Sequence, residues 1–193
     1  MRKISAHFCL MPDGTLGKWP VVSIDPDGVI TELRVNSDHL NEEPGMEYYG
    51  GVIVPGFIED IRNCIFPDHT ESEMMKLIDN FYSRGSIRFL CRSDQKYFNT
   101  TFKGKVFYDN SFIAEVRKPC EKKSFWEKVK EGKGINIIDT IYLLQKKLTD
   151  YLPESVSWGR MKVDSAPGIL LVKGLDYAGM ELTDRTSIKI LIH

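Results

Sequence analysis

The feature that most constrains this chain is the way its first 56 residues are cut into short apolar runs by turn signals. Ile4, Ala6, Phe8 and Leu10 alternate with Ser5, His7, Cys9 and Met11, the period of two of a half-buried strand. Asp13-Gly14 supplies a turn, Trp19 to Ile24 a second run, Pro26-Asp27-Gly28 a second turn and Val29 to Val35 a third strand. Tyr48 to Val54 is a fourth, closed by Pro55-Gly56. Four short strands joined this way make a sheet whose apolar face needs a second layer over it. That layer has to come from elsewhere in the chain.

The middle of the chain changes period. Thr70 and Glu73 have the spacing of a capping box, and Met74, Leu77, Ile78 and Phe81 follow at helical intervals, which predicts a helix over 71–83. Ser124 and Glu127 repeat the device before a short helix that stops at Gly132. Asn136 caps a longer helix with Ile137, Ile138, Ile141, Leu144 and Leu148 on one stripe, ended by Pro153. Ile87 to Cys91 and Lys105 to Val116 read as strands, and the tail returns to β pattern at Trp158 to Val163, Ile169 to Val172 and Thr186 to Ile192. The expected fold class is α/β mixed (α+β). Residues 1–56 together with 156–193 form a composite β-sandwich, and residues 57–155 form a reduced α/β insert.

With 193 residues, 42% of them hydrophobic, the chain can bury a substantial core. A net charge of −1 gives no global attraction to nucleic acid or anionic membrane. Cys9, Cys64, Cys91 and Cys120 are too far apart for a zinc knuckle or redox pair, so they read as free thiols of a reducing compartment. The start of the chain is too polar for an export signal, and no uncharged run approaches the roughly eighteen residues of a membrane span. The expectation is a cytoplasmic protein with no membrane partner.

One segment carries a family resemblance. Gly51 to Asn63, GVIVPGFIEDIRN, resembles the passage of the amidohydrolase superfamily from its last N-terminal sandwich strand into barrel strand one. There a hydrophobic run leads through Pro-Gly-Phe and an acidic or amide residue to a His-x-His metal motif. Glu59 takes the acidic place, and the two ligand places fall on Ile61 and Asn63. Isoleucine has no lone pair and an asparagine amide is a poor zinc ligand, so no metal and no other cofactor is expected. The segment Ser165 to Asp176, SAPGILLVKGLD, is similar to the family's return from its closing helix into the sandwich. A TIM barrel takes about 250 residues and seldom fewer than about 200, and residues 57–155 offer about half that minimum. The resemblance therefore implies a truncated barrel.

Among four histidines, His69 alone has acidic company, in Asp68 beside it and Asp60 and Glu59 upstream. Asp60, Asp68 and His69 are the weak catalytic candidates, since carboxylates with an imidazole can hold a divalent ion or move a proton. The competing and stronger reading makes Asp68, His69 and Thr70 the polar cap of the helix that follows. Residues 84–133 carry a net charge of +7 against −8 for the rest, with nine aromatics interleaved. Such a segment can bind nucleic acid or another anionic ligand, although core aromatics with solvated lysines outweigh that reading. It could also meet the acidic first 83 residues, within one chain or across a dimer. No nucleophile elbow, phosphate-binding loop or dinucleotide fingerprint is present.

The leading functional expectation is a catalytically inactive amidohydrolase-like protein that acts by binding or assembly, as a homodimer or beside a full-length hydrolase partner. The alternatives are a carbon–nitrogen hydrolase with a residual site near Asp60, Asp68 and His69, and a binder of anionic ligands through residues 84–133.

Overall fold

The structure is a computed structural model that describes residues 1–36, 38–62, 71–92, 105–109, 123–132, 136–150, 152–153, 156 and 158–193. Its elements, in chain order, are β1 (Arg2–Leu10), β2 (Leu16–Lys18), β3 (Pro20–Ile24), β4 (Ile30–Val35), β5 (Met46–Pro55), β6 (Phe57–Asp60), α1 (Glu71–Ser83), β7 (Ser86–Arg92), β8 (Lys105–Asp109), α2 (Phe125–Glu131), α3 (Ile137–Thr149), β9 (Ile169–Lys173) and β10 (Ser187–Ile192). The fold is mixed α+β. The chain divides into two compact units, Met1–Gly56 with Gly132–His193, and Phe57–Glu131. No helix among the described residues is long and apolar enough to cross a membrane.

The first unit is one seven-stranded sheet in the order β10-β9-β5-β1-β3-β4, with β2 also pairing β1. Both chain ends enter it, because β5 and β9 pair antiparallel from Val52 opposite Val172 to Pro55 opposite Ile169. Ile4, Ala6, Val22, Ile30, Ile53, Leu171 and Leu191, drawn from six strands, bury together, so the sheet curls over its own core in sandwich-like fashion. Arg2 donates to the Leu191 carbonyl at 2.7 Å, tying β1 to β10 across that core.

Two local features shape this sheet. The expected strand from Trp19 to Ile24 is interrupted, since Trp19 adopts φ +46° between β2 and β3. A left-handed conformation costs an L-residue about 1–2 kcal/mol. It is held by the Trp19 N–H donating to the His7 carbonyl and by Asn36 Nδ2 donating to the Trp19 carbonyl, both at 3.1 Å. At Gly51, φ is +151° and an added Cβ would lie 2.5 Å from the Val172 carbonyl oxygen, so only glycine lets β5 and β9 approach. The expected strand at Trp158 to Val163 is not formed; the residues described there are turns and irregular backbone. Asp164 at φ +62° and Gly159 at φ +70° bend the segment too sharply for a ladder.

The helix α3 belongs to the first unit, whereas the sequence reading placed it in an insert running to residue 155. Ile137, Ile138, Ile141, Gln145 and Thr149 form its buried face. The three isoleucines contribute on the order of 2 kcal/mol each by burial. Gln145 donates through Nε2 to the Gly56 carbonyl at 2.9 Å, and the Ile137 N–H donates to the Met180 carbonyl at 3.0 Å. Asn136 caps the helix, its Oδ1 accepting from the Ile138 N–H at 2.8 Å.

The second unit is a parallel sheet in the order β6-β7-β8. Helix α1 spans the predicted 71–83. The strand expected over 105–116 is formed at Lys105–Asp109, and its remainder lies outside the described residues. Helix α2 packs on β6 through Phe57, which stacks on Phe125 with ring centroids 4.5 Å apart and on Trp126 at 6.0 Å. Ser124 and Glu127 form the capping box that their spacing predicts: the Ser124 N–H donates to Glu127 at 2.8 Å and the Glu127 N–H to Ser124 Oγ at 3.3 Å.

Candidate functional site

Parallel α/β sheets place their reactive groups at the carboxyl ends of the strands. Here that edge carries Glu59, Asp60 and Ile61 at the end of β6 and Cys91 near the end of β7. Alternation along β6 sends Phe57 and Glu59 toward α2 and turns Asp60 the other way.

Glu59 is 2% exposed and fully engaged. Its Oε2 accepts from the Phe125 N–H at 2.7 Å and from Ser86 Oγ at 3.0 Å, while Oε1 accepts from Lys128 Nζ at 3.1 Å. Burial pushes this carboxyl above the usual carboxylate range, a shift that Lys128, the Phe125 N–H and Ser86 oppose but do not cancel. Chemically the group is a fastener. It closes the first turn of α2, where negative charge suits the helix dipole, and pins that helix to β6 and β7.

Asp60 is held just as firmly, by its own neighbour. Arg62 Nε and Nη2 donate to its two carboxylate oxygens at 2.9 and 2.8 Å, and the Arg62 N–H adds a third bond at 3.1 Å. This bidentate fork is a strong pairing, and Arg62 is itself only 2% exposed. Ile61 is 3% exposed, and its N–H donates to the Leu90 carbonyl at 3.0 Å, carrying the strand pairing past Asp60. Its side chain is core. Cys91 is buried, and burial together with the Asp60 charge pushes its thiol well up, which makes it a poor nucleophile.

Of the sequence candidates, Asp60 therefore stands in an ion pair, and Asn63, Asp68 and His69 lie outside the described residues. Among the described residues, no group of three or more His, Cys, Asp or Glu side chains gathers as a metal cluster would. The partners that reading the sequence missed are Arg62, Ser86 and Lys128. For Arg62 a signal exists, since an Asp-x-Arg step at a strand end invites a local fork. Ser86 and Lys128 lie 27 and 69 residues from Glu59, beyond any local pattern.

No family model matches the chain, and no curated protein matches it. Among solved structures, it is similar to a mutant N-acetyl-D-glucosamine-6-phosphate deacetylase from Mycobacterium smegmatis in complex with N-acetyl-D-glucosamine-6-phosphate, with 16% identity and a TM-score of 0.35 over 47% of this chain and 24% of that one. It is also similar to a putative prolidase from Bifidobacterium longum, with 9% identity and a TM-score of 0.37 over 78% of this chain and 38% of that one. The match thus spans well under half of either relative's length. Neither likeness is close enough to carry an activity to this chain.

Proposed function

We propose that the chain is a non-hydrolytic binding or assembly protein built on an amidohydrolase-like plan. The observation that supports this reading best is that both carboxylates at the end of β6 are already committed, Asp60 to Arg62 and Glu59 to Lys128, Ser86 and the Phe125 N–H. Ile61, at the first of the two ligand places implied by the resemblance, is packed as core. The path of the chain supports the plan itself. β5 leaves a mixed sheet through Pro55 and Gly56 and becomes β6 of a parallel one, and β9 returns to pair with β5.

Metal analysis and hydrolysis assays on the purified full chain test this reading. The expected result is no stoichiometric zinc, iron or manganese after dialysis, and no hydrolysis of amide, ureide or carbamate substrates with or without added divalent metal. Near-equimolar metal that survives dialysis, or metal-dependent turnover lost in Asp60→Asn or His69→Ala, would establish the residual hydrolase instead. Parallel sheets are ordinarily covered on both faces and built from more strands than the three, β6, β7 and β8, formed among the described residues. Assembly with a second copy would supply such cover. Light scattering at micromolar concentration should then give twice the 22.1 kDa chain mass.

A further inference from the structure

An aromatic cluster in the first unit plays no part in the β6 site. Along β1 the pairing with β5 steps from Ala6 to Phe8, while on β5 it steps from Tyr49 to Val52. His7 thus stands opposite two residues, Gly50 and Gly51, in a β-bulge, a feature that often re-aims side chains beside functional sites. Gly50 lies against His7, where an added Cβ would come 3.7 Å from His7 Cε1.

Rings of Tyr177, Tyr48, Trp19 and Phe8 stand edge-on to the imidazole, with centroids at 5.2, 5.7, 5.8 and 6.5 Å. They are not simply filling a core, since Tyr48 and Tyr177 are 41% and 37% exposed. An open cavity of about 310 Å³ is lined by His7, Phe8, Lys18, Trp19 and Tyr177. Its Trp19 wall is kept in a left-handed conformation that a bulky residue rarely adopts. Buried His7 Nδ1 finds no hydrogen-bond partner among the described residues. Strain and an unsatisfied polar atom, both at one cavity, mark a place shaped for something other than stability.

We propose that this cavity binds a flat, π-rich ring carrying an anionic group, the ring lying against Trp19 and Tyr177 and the anion meeting Lys18. The volume sits at the small end of ligand pockets and suits one ring system with a short substituent. Aromatic faces hold such a ring by stacking. The sign of the charge follows from the lining, which among the described residues includes Lys18 and no carboxylate. A cationic ligand would meet a like charge there. The site lies wholly in the first unit, and it stands whether or not the β6 end hydrolyses anything.

Amide chemical shifts of the full chain, titrated with adenosine 5′-monophosphate, indole-3-carboxylate, adenosine and inorganic phosphate, test the assignment. Both ring anions should shift Lys18, Trp19, Gly50, Gly51 and Tyr177, and the one that saturates at the lower concentration marks a nucleotide or an aromatic carboxylate as the source. Adenosine should bind about tenfold more weakly than its monophosphate, and phosphate alone should leave these amides unmoved. Tyr177→Ala should weaken the ring anions about tenfold or more, the loss expected of one stacked face, with the circular dichroism unchanged. Lys18→Ala, at an exposed position, should abolish the preference for the charged form. No shift from either ring anion at millimolar concentration, equal binding of adenosine and its monophosphate, or binding that survives both substitutions would overturn the proposal.

Discussion

Glu59 shows how one residue can look like chemistry in the sequence and act as architecture in the fold. Buried as it is, it is tolerated because three donors surround it, and removing it strands them. Lys128 is 30% exposed and can turn to water, so Glu59→Ala should cost about 2 kcal/mol, less than the roughly 3–5 kcal/mol of a fully buried pair. Urea denaturation would measure it. The pH dependence has a definite sign. Because the folded carboxyl titrates above the ordinary value of 4.5, the folded state binds its proton more readily than the unfolded chain. Its stabilising effect is complete below that value and declines as pH rises through the higher folded one. The stability of the wild type relative to Glu59→Gln should therefore fall as the pH is raised above about 4.5. A difference that rose over this range would show that the Lys128 charge outweighs burial. Gly51 is the other decisive residue. Gly51→Ala sets a Cβ against the Val172 carbonyl at a φ that side chains avoid, and should cost about 2–3 kcal/mol in the same measurement.

Elements were legible wherever the cause was local. The capping box of α2 and the Asn136 cap of α3 follow from spacings within one turn, α1 follows from its apolar stripe, its Thr70 cap lying outside the described residues, and all three helices form where those patterns put them. Strand breaks were not legible, because Trp19 is turned by bonds to His7 and Asn36, 12 and 17 residues away in sequence. The buried face of α3 was half legible. Ile137, Ile138 and Ile141 are core as their stripe predicts, but the face continues to Gln145 and Thr149 rather than Leu144 and Leu148. Gln145 earns its place there by serving the Pro55 and Gly56 carbonyls, a role no apolar side chain can fill. Gln145→Leu should accordingly destabilise the first unit by about 1–2 kcal/mol despite its greater hydrophobicity. Ser124→Ala should cost about 1 kcal/mol by opening the capping box, with faster amide exchange in the first turn of α2.

At the scale of the molecule, the first 56 residues cannot finish a fold alone, and the structure shows what completes them. The edge of β5 not used by β1 is covered by β9, and β9 is in turn covered by β10 from Ser187 opposite Lys173 to Ile192 opposite Ile169. Leu191 of β10 reaches the core that holds Ile4 and Val22, and its carbonyl receives Arg2. Ile192 packs toward Gly28, where an added Cβ would stand 3.3 Å from its Cγ2. The contacts of Leu191 and Ile192 with Arg2, Ile4, Val22 and Gly28 join residues more than 160 positions apart, so the ends of the chain should fold and unfold as one cooperative body. Deleting Ser187–Ile192 exposes the edge of β9, opens the core beside Ile4 and takes away the Leu191 carbonyl, leaving Arg2 only its bonds to Glu47 and Tyr49. Hydrogen exchange on the deleted chain should find protection lost together at Ile4, Val22 and Ile53, residues that the deletion does not touch in sequence. If Ile4 and Val22 kept their protection, β1, β3 and β4 would be a self-sufficient sheet, and the tail would be an addition to the core rather than part of it.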